Sequence, residues 1–134
     1  MAANLVQMHQ KAIELLEKKL LFSKLGENGV CQVYDAQVDK NGYTKLCYRH
    51  PSDGKWTTVT SGRAVVMVKK EKTIFLDDKK EASHLCHNKT CVLPEHIVFE
   101  DHSINNQRKT CVREGRCIGH GPQHPECLVM YKMD

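Results

Sequence analysis

Between Ser83 and Cys127 the chain carries five of its seven cysteines and six of its eight histidines. No other feature restricts its fold so sharply. One set runs Cys86-x4-Cys91-x4-His96 and a second runs Cys111-x5-Cys117-x2-His120-x6-Cys127. Thiols and imidazoles at such short intervals suit structural zinc, which takes four of them in a tetrahedron. The second set closes as four ligands within one loop, with His124 an alternative to His120. The first set has three and needs a fourth from elsewhere, and Cys31 and Cys47 are the only cysteines outside the stretch. An odd number of cysteines interleaved with histidines fits metal in a reducing compartment better than a disulfide framework. That reading predicts an intracellular protein, nuclear or cytoplasmic, and the N-terminus lacks the apolar run of a secretory signal.

At 134 residues the chain is one compact domain, or one with an appendage. Only 6% of it is aromatic, so its core is modest and metal cross-links would help to hold it. No apolar run approaches membrane-spanning length. The formal charge of +4 falls to roughly +2 if two three-thiolate zinc sites form. A surface for nucleic acid must then be a local basic patch.

Residues 4 to 25 read as a helix, with Leu5, Met8, Ala12, Leu15, Leu16 and Leu20 making one apolar stripe to pack on the body. Asn4 would cap it and Gly26 would end it. The spacing therefore divides the chain into an N-terminal helix, 1–28, and a main body, 29–134. Val30 to Val38 and Tyr43 to His50 read as strands joined by the Asn41-Gly42 turn, a strong hairpin signal. Pro51-Ser52-Asp53-Gly54 makes a second turn into Lys55–Val59. On the return strand Tyr43, Lys45, Cys47 and Arg49 share one face, and Leu46 and Tyr48 the other. Ser61 to Lys70 is apolar and too short for periodicity to choose between strand and helix. A helix is expected from about Ile97 to Lys109, with Asn105 and Arg108 one turn apart on it.

Zinc with four protein ligands has no open position, so it can hold a fold and not perform chemistry. Three polar groups in the stretch are left over: His84, Asn105 and Arg108. His84 stands two residues before a zinc cysteine. A rigid imidazole facing an amide oxygen could act as a general base beside a hard divalent cation.

At these residues the chain resembles the His-Cys box homing endonucleases, within the His-Me finger (ββα-metal) nucleases. The resemblance rests on Ser83-His84-Leu85-Cys86-His87-Asn88, Cys91, Pro94, His96, Asn105, Arg108 and Cys111. It extends more loosely to Lys40-Asn41-Gly42, Thr44, Lys45, Tyr48 and Arg49, and covers about Cys31 to Cys127. It implies an α+β fold: a His-Me finger core, two structural zinc loops, a small antiparallel DNA-binding sheet and the N-terminal helix. Ser61 to Lys70 would be a short helix.

The resemblance also implies roles. His84 would activate water, and Asn105 would be the one protein ligand of a catalytic Mg²⁺. Lys45 falls where the family has a phosphate-clamping arginine, and Arg108 belongs to the same catalytic group. Lys40, Tyr43, Lys45 and Arg49 would contact DNA. Cys31, Cys86, Cys91 and His96 would hold one zinc ion, and Cys111, Cys117, His120 and Cys127 the other. The expected activity is Mg²⁺-dependent hydrolysis of double-stranded DNA to 5′-phosphate and 3′-hydroxyl ends. Lysine at 45 keeps the charge and loses the bidentate fork. The second zinc loop is shorter between its first two cysteines and longer before its last. Seven residues follow Cys127, fewer than the tail by which the homing enzymes exchange arms, so a homodimer does not follow from the resemblance. The competing readings are a catalytically silent zinc module that binds nucleic acid and a nuclease acting on RNA or without site preference.

Overall fold

The computed structural model describes residues 2–27 and 29–128. The described residues form a mixed α and β fold with three two-stranded antiparallel sheets. Helix α1 spans Ala2–Leu20. It buries Ala12, Leu16 and Leu20 in a core with Leu46, Tyr48, Val59, Val65, Met67 and Ile97. The expected stripe is therefore the packing face in its C-terminal half, while Leu5 stays exposed. No helix among the described residues is long and apolar enough to cross a membrane.

The helix ends earlier than its periodicity predicts, and it starts at Ala2, so Asn4 lies inside it. The amides of Leu21 and Phe22 close on Lys18 and Lys19. Ser23–Leu25 then becomes strand β1, paired with β2, Gln32–Tyr34. Lys24 forms an ion pair with Asp35 across this ribbon. Long-range pairing has overridden the helical tendency of these residues.

The Asn41-Gly42 hairpin does not form. Asp39 folds the segment on itself, its carboxylate accepting from the amides of Asn41 and Tyr43. An aspartate that satisfies backbone amides locally competes with a strand ladder. Strand β3, Lys45–Arg49, pairs instead with β4, Trp56–Thr60, around the turn that starts at Pro51. Its alternation is as expected: Leu46 and Tyr48 are buried, Lys45, Cys47 and Arg49 exposed.

Helix α2, Ser61–Val65, runs into a π-helical turn, Val66–Lys70. This segment is helical despite its β-branched residues because the core buries it whole, from Ala64 to Val68. The Ser61 hydroxyl meets that of Thr44 at 2.7 Å, tying the helix start to the residue that precedes β3.

Strand β5, Lys80–His84, pairs with β6, Ile97–Asp101, and helix α3, His102–Glu114, follows at once. The expected helix thus begins later than Ile97. Residues 97–101 are a strand because Ile97 is paired with His84 and buried in the core. Gly115, at φ 72°, ends α3 in the left-handed region that suits glycine.

Candidate metal centres and active site

Among the described residues, two groups of cysteine and histidine converge. They are Cys31, Cys86, Cys91 and His96, and Cys111, Cys117, His120 and Cys127, the ligand atoms of each lying within 4.8 Å of one another. In the first, His96 Nδ1 is 3.6 Å from Cys31 Sγ and 3.4 Å from Cys91 Sγ. In the second, His120 Nε2 is 3.4 Å from Cys111 Sγ, 3.4 Å from Cys117 Sγ and 3.7 Å from Cys127 Sγ. Ordinary zinc–sulfur and zinc–nitrogen bonds in a tetrahedron put nitrogen and sulfur about 3.6 Å apart, so both groups have the size of a zinc site.

Local chemistry agrees with the size. Without a cation the thiols crowd one another. Cys91 is pushed well above the ordinary thiol range by its Cys86 neighbour and by burial. Cys127 is pushed up to about 12, chiefly by burial. A divalent cation would relieve both by holding the thiolates. Backbone amides already point at sulfur, from Ile118 to Cys111 and from Cys127 to Cys117. His120 Nδ1 reaches Gln107 Oε1 at 2.9 Å, the outer hydrogen bond that orients a ligating imidazole.

The geometry takes Cys31 over Cys47, which is exposed on β3, and His120 over His124. His124 turns toward Glu100, 3.7 Å away. Cys31 arrives because β2 is stitched to the zinc loop: Tyr34 donates to the Thr90 carbonyl, and Val92 to that of Gln32.

A cleft of about 300 Å³ is bounded by Tyr43, His84, His87, Lys89, Asn105, Arg108 and Lys109. His84, at the end of β5, is 9% exposed. Its Nε2 lies 3.0 Å from the carbonyl oxygen of Cys91, a residue of the first metal group. A carbonyl only accepts, so Nε2 carries the proton and Nδ1 keeps a lone pair. Burial, partly offset by that carbonyl, lowers the His84 pKa to about 4. The ring is therefore neutral at neutral pH. Helix α2 comes close enough that a Cβ on Gly62 would stand 2.7 Å from His84 Cε1. Only glycine leaves the imidazole its place.

Asn105 sits on the first turns of α3. Its Oδ1 accepts from Ser83 Oγ at 2.8 Å, and its Nδ2 donates to Glu81 Oε1 at 2.6 Å. Burial alone would raise the Glu81 carboxyl. Hydrogen bonds from Asn105 and His102 outweigh it and hold the group below its ordinary value.

Two expected site residues are differently engaged. Arg108 is 2% exposed. Its Nε and Nη2 grip both oxygens of buried Glu100 at 2.6 and 2.9 Å, and Nη1 reaches Cys127 Sγ at 3.6 Å. Its donors brace β6 and the second metal group. Lys45 is not among the residues lining the cleft, and its Nζ lies 3.5 Å from Asp39. The lysines that line the cleft are Lys89 and Lys109, which sequence reasoning passed over. Lys89 Nζ bonds the Asn41 carbonyl and rests 4.9 Å over the Tyr43 ring. Of the other expected DNA contacts, Lys40 is exposed in the turn after Asp39, and Arg49 lies 5.3 Å over Trp56 on the open face of β3–β4.

Glu81, Ser83, Gly62 and Gln107 were also missed. Strand periodicity would have found two of them, since Glu81 and Ser83 stand two apart on β5 and reach the same amide. His87 has φ 58° and a buried Nε2 without a hydrogen-bond partner among the described residues.

The fold and these two groups define the class: a mixed α and β protein built on paired Cys₃His metal centres. A family model described as the zinc-binding loop region of homing endonucleases matches residues 27–133. The chain belongs to that family. Two Cys₃His groups in a zinc-binding family support two structural zinc ions. No curated protein and no solved structure matches the chain.

Proposed function

We propose that the chain is a Mg²⁺-dependent DNA endonuclease of the ββα-metal kind. The observation that carries this is the cleft itself, where a neutral buried imidazole and a hard amide oxygen stand together under two lysines. The amide oxygen of Asn105 is a fitting ligand for Mg²⁺, which keeps most of its water and takes few protein oxygens. Ser83 occupies one lone pair of that oxygen, and among the described residues no donor is seen on the other.

His84 takes the proton from the attacking water through Nδ1. The Cys91 carbonyl fixes its tautomer, and Gly62 and β5 fix its position. Lys89 and Lys109 draw the phosphate into the cleft. Asn105 would hold the cation, which would supply positive charge against the negative charge that builds on the phosphate during attack. The products are 5′-phosphate and 3′-hydroxyl ends. Lys45, Arg49 and Trp56 are exposed on β3–β4, and in this reading that face follows a groove of double-stranded DNA. Six thiols committed to metal suit a reducing compartment, so we place the protein inside the cell.

The test is nicking of supercoiled plasmid with Mg²⁺. Wild type cuts. His84→Ala loses roughly 10²–10⁴ of the rate, the usual worth of a positioned base. Asn105→Ala and Gly62→Ala fall with it while zinc content stays at two per chain. Salt-sensitive DNA binding without cleavage by wild type would instead establish a silent module, and equal rates in all variants would remove His84 and Asn105 from the chemistry.

A further inference from the structure

The reading above leaves Glu81 without a task. This carboxylate on β5 joins a continuous chain of hydrogen bonds. Ser83 Oγ donates to Asn105 Oδ1 at 2.8 Å, and Asn105 Nδ2 donates to Glu81 Oε1 at 2.6 Å. Glu81 Oε2 accepts from His102 Nδ1 at 2.7 Å, and His102 Nε2 accepts from Asn106 Nδ2 at 2.9 Å. A neutral His102 protonated on Nδ1 satisfies every partner.

The two ends of a carboxamide are nearly the same size, and only their partners decide which end faces which way. Ser83 cannot decide it, because a hydroxyl both donates and accepts. Glu81 can, because a carboxylate only accepts. It takes the NH₂ end and leaves the oxygen on the side of Ser83, the residue before His84. His102, three residues before Asn105 on α3, holds the other carboxylate oxygen, so the carboxylate is itself fixed at both ends.

We propose that Glu81 is a positioning residue for the catalytic cation, locking the Asn105 carboxamide with Oδ1 presented as the metal ligand. The proposal rests on the reading of Asn105 as that ligand. Without Glu81 the amide can turn over and offer the cation its NH₂ group, which repels it. Loss of such an outer partner typically costs ten- to a hundredfold in metal affinity.

The test compares wild type, Glu81→Gln, Asn105→Asp and the double variant, each holding two zinc ions. Three quantities are read: the Mg²⁺ concentration for half-maximal plasmid nicking, the affinity for Mn²⁺ by electron paramagnetic resonance, and the side-chain NH₂ signal of Asn105 by NMR without divalent metal. Glu81→Gln is expected to raise the half-saturating Mg²⁺ at least about tenfold and weaken Mn²⁺ to match. The rate at saturating Mg²⁺ should stay within about twofold of wild type, because the reacting groups are untouched. The Asn105 NH₂ protons, shifted downfield by the carboxylate, should move. In the Asn105→Asp background the sign reverses. The carboxylate at 105 needs no orienting and is repelled by Glu81, so Glu81→Gln should tighten metal binding there.

Unchanged metal dependence in Glu81→Gln beside a cleaving wild type overturns the proposal alone. Weakening in both backgrounds also overturns it, since a direct ligand or a purely structural residue behaves that way. A wild type that neither cleaves nor binds Mn²⁺ overturns the reading of Asn105, and this proposal with it.

Discussion

The two metal groups share one ligand set and are built in opposite ways. The second comes from the end of α3 and the loop that follows it, all within residues 111–127. The first takes three ligands from residues 86–96 and its fourth, Cys31, from a strand more than fifty residues upstream. A local site needs only a loop of the right length. A non-local site needs the fold, because closing a long segment costs chain entropy that other contacts must offset. Here the β2 bonds to Thr90 and Val92 do so. The difference reaches the chemistry as well. Cys91 supplies a sulfur to the first group and its carbonyl to His84, so the first centre holds that imidazole in place. The second centre braces α3, through Arg108 at Cys127 and Gln107 at His120.

Stripping both centres should have the largest effect. Structural zinc binds with about 10–16 kcal/mol, comparable to or above the ~5–15 kcal/mol by which whole domains are stable. A strong chelator should therefore unfold the protein, read as loss of far-UV circular dichroism as two zinc ions per chain are released. Retention of full signal after complete zinc removal would mean that neither centre is structural.

Breaking one centre at a time separates their roles. Cys31→Ser and Cys117→Ser should each bind a single zinc ion. Hydrogen exchange should rise in β1 and β2 for the first and in residues 115–128 for the second. Only Cys31→Ser should also expose the amides from Leu85 to Val92 that frame His84. Matching exchange maps for the two variants would erase the distinction drawn between them.

The brace between β6, α3 and the second centre comes next. Removing one partner of a buried ion pair typically costs about 3–5 kcal/mol. Urea unfolding of zinc-loaded Arg108→Ala should show a loss of that order, and Glu100→Gln with Arg108→Met should recover much of it. A loss below 1 kcal/mol would place Arg108 among groups free to meet substrate.

The smallest effect separates the lysines. Lys45 and Asp39 form a solvent-screened surface pair, and such pairs add little to stability, so Lys45→Ala should unfold at nearly the wild-type denaturant concentration. Lys89→Ala should slow nicking more than Lys45→Ala does, and should lower the salt slope of DNA binding by about one. The reverse order would return the phosphate contact to Lys45.

Much of this molecule is determined by its sequence alone. The ligands of the second centre lie close in the chain, so their spacing reveals them, as does the triplet Cys86, Cys91 and His96. The alternation on β3 and the packing face of α1 are equally legible, because period is a local property. Tertiary structure decided what depends on distant partners. Cys31 and Cys47 are equivalent as letters, and only the pairing of β2 with the zinc loop separates them. Ser23–Leu25 left the helix, and Asn41-Gly42 lost its hairpin, because strand partners and the Asp39 carboxylate outcompeted local preference. Arg108 looked available and is bound to Glu100. Glu81 looked like one more charge in a solvated loop and is the acceptor for Asn105. A carboxylate's role depends on which donor stands opposite, and only the meeting of β5 with α3 brings that donor there.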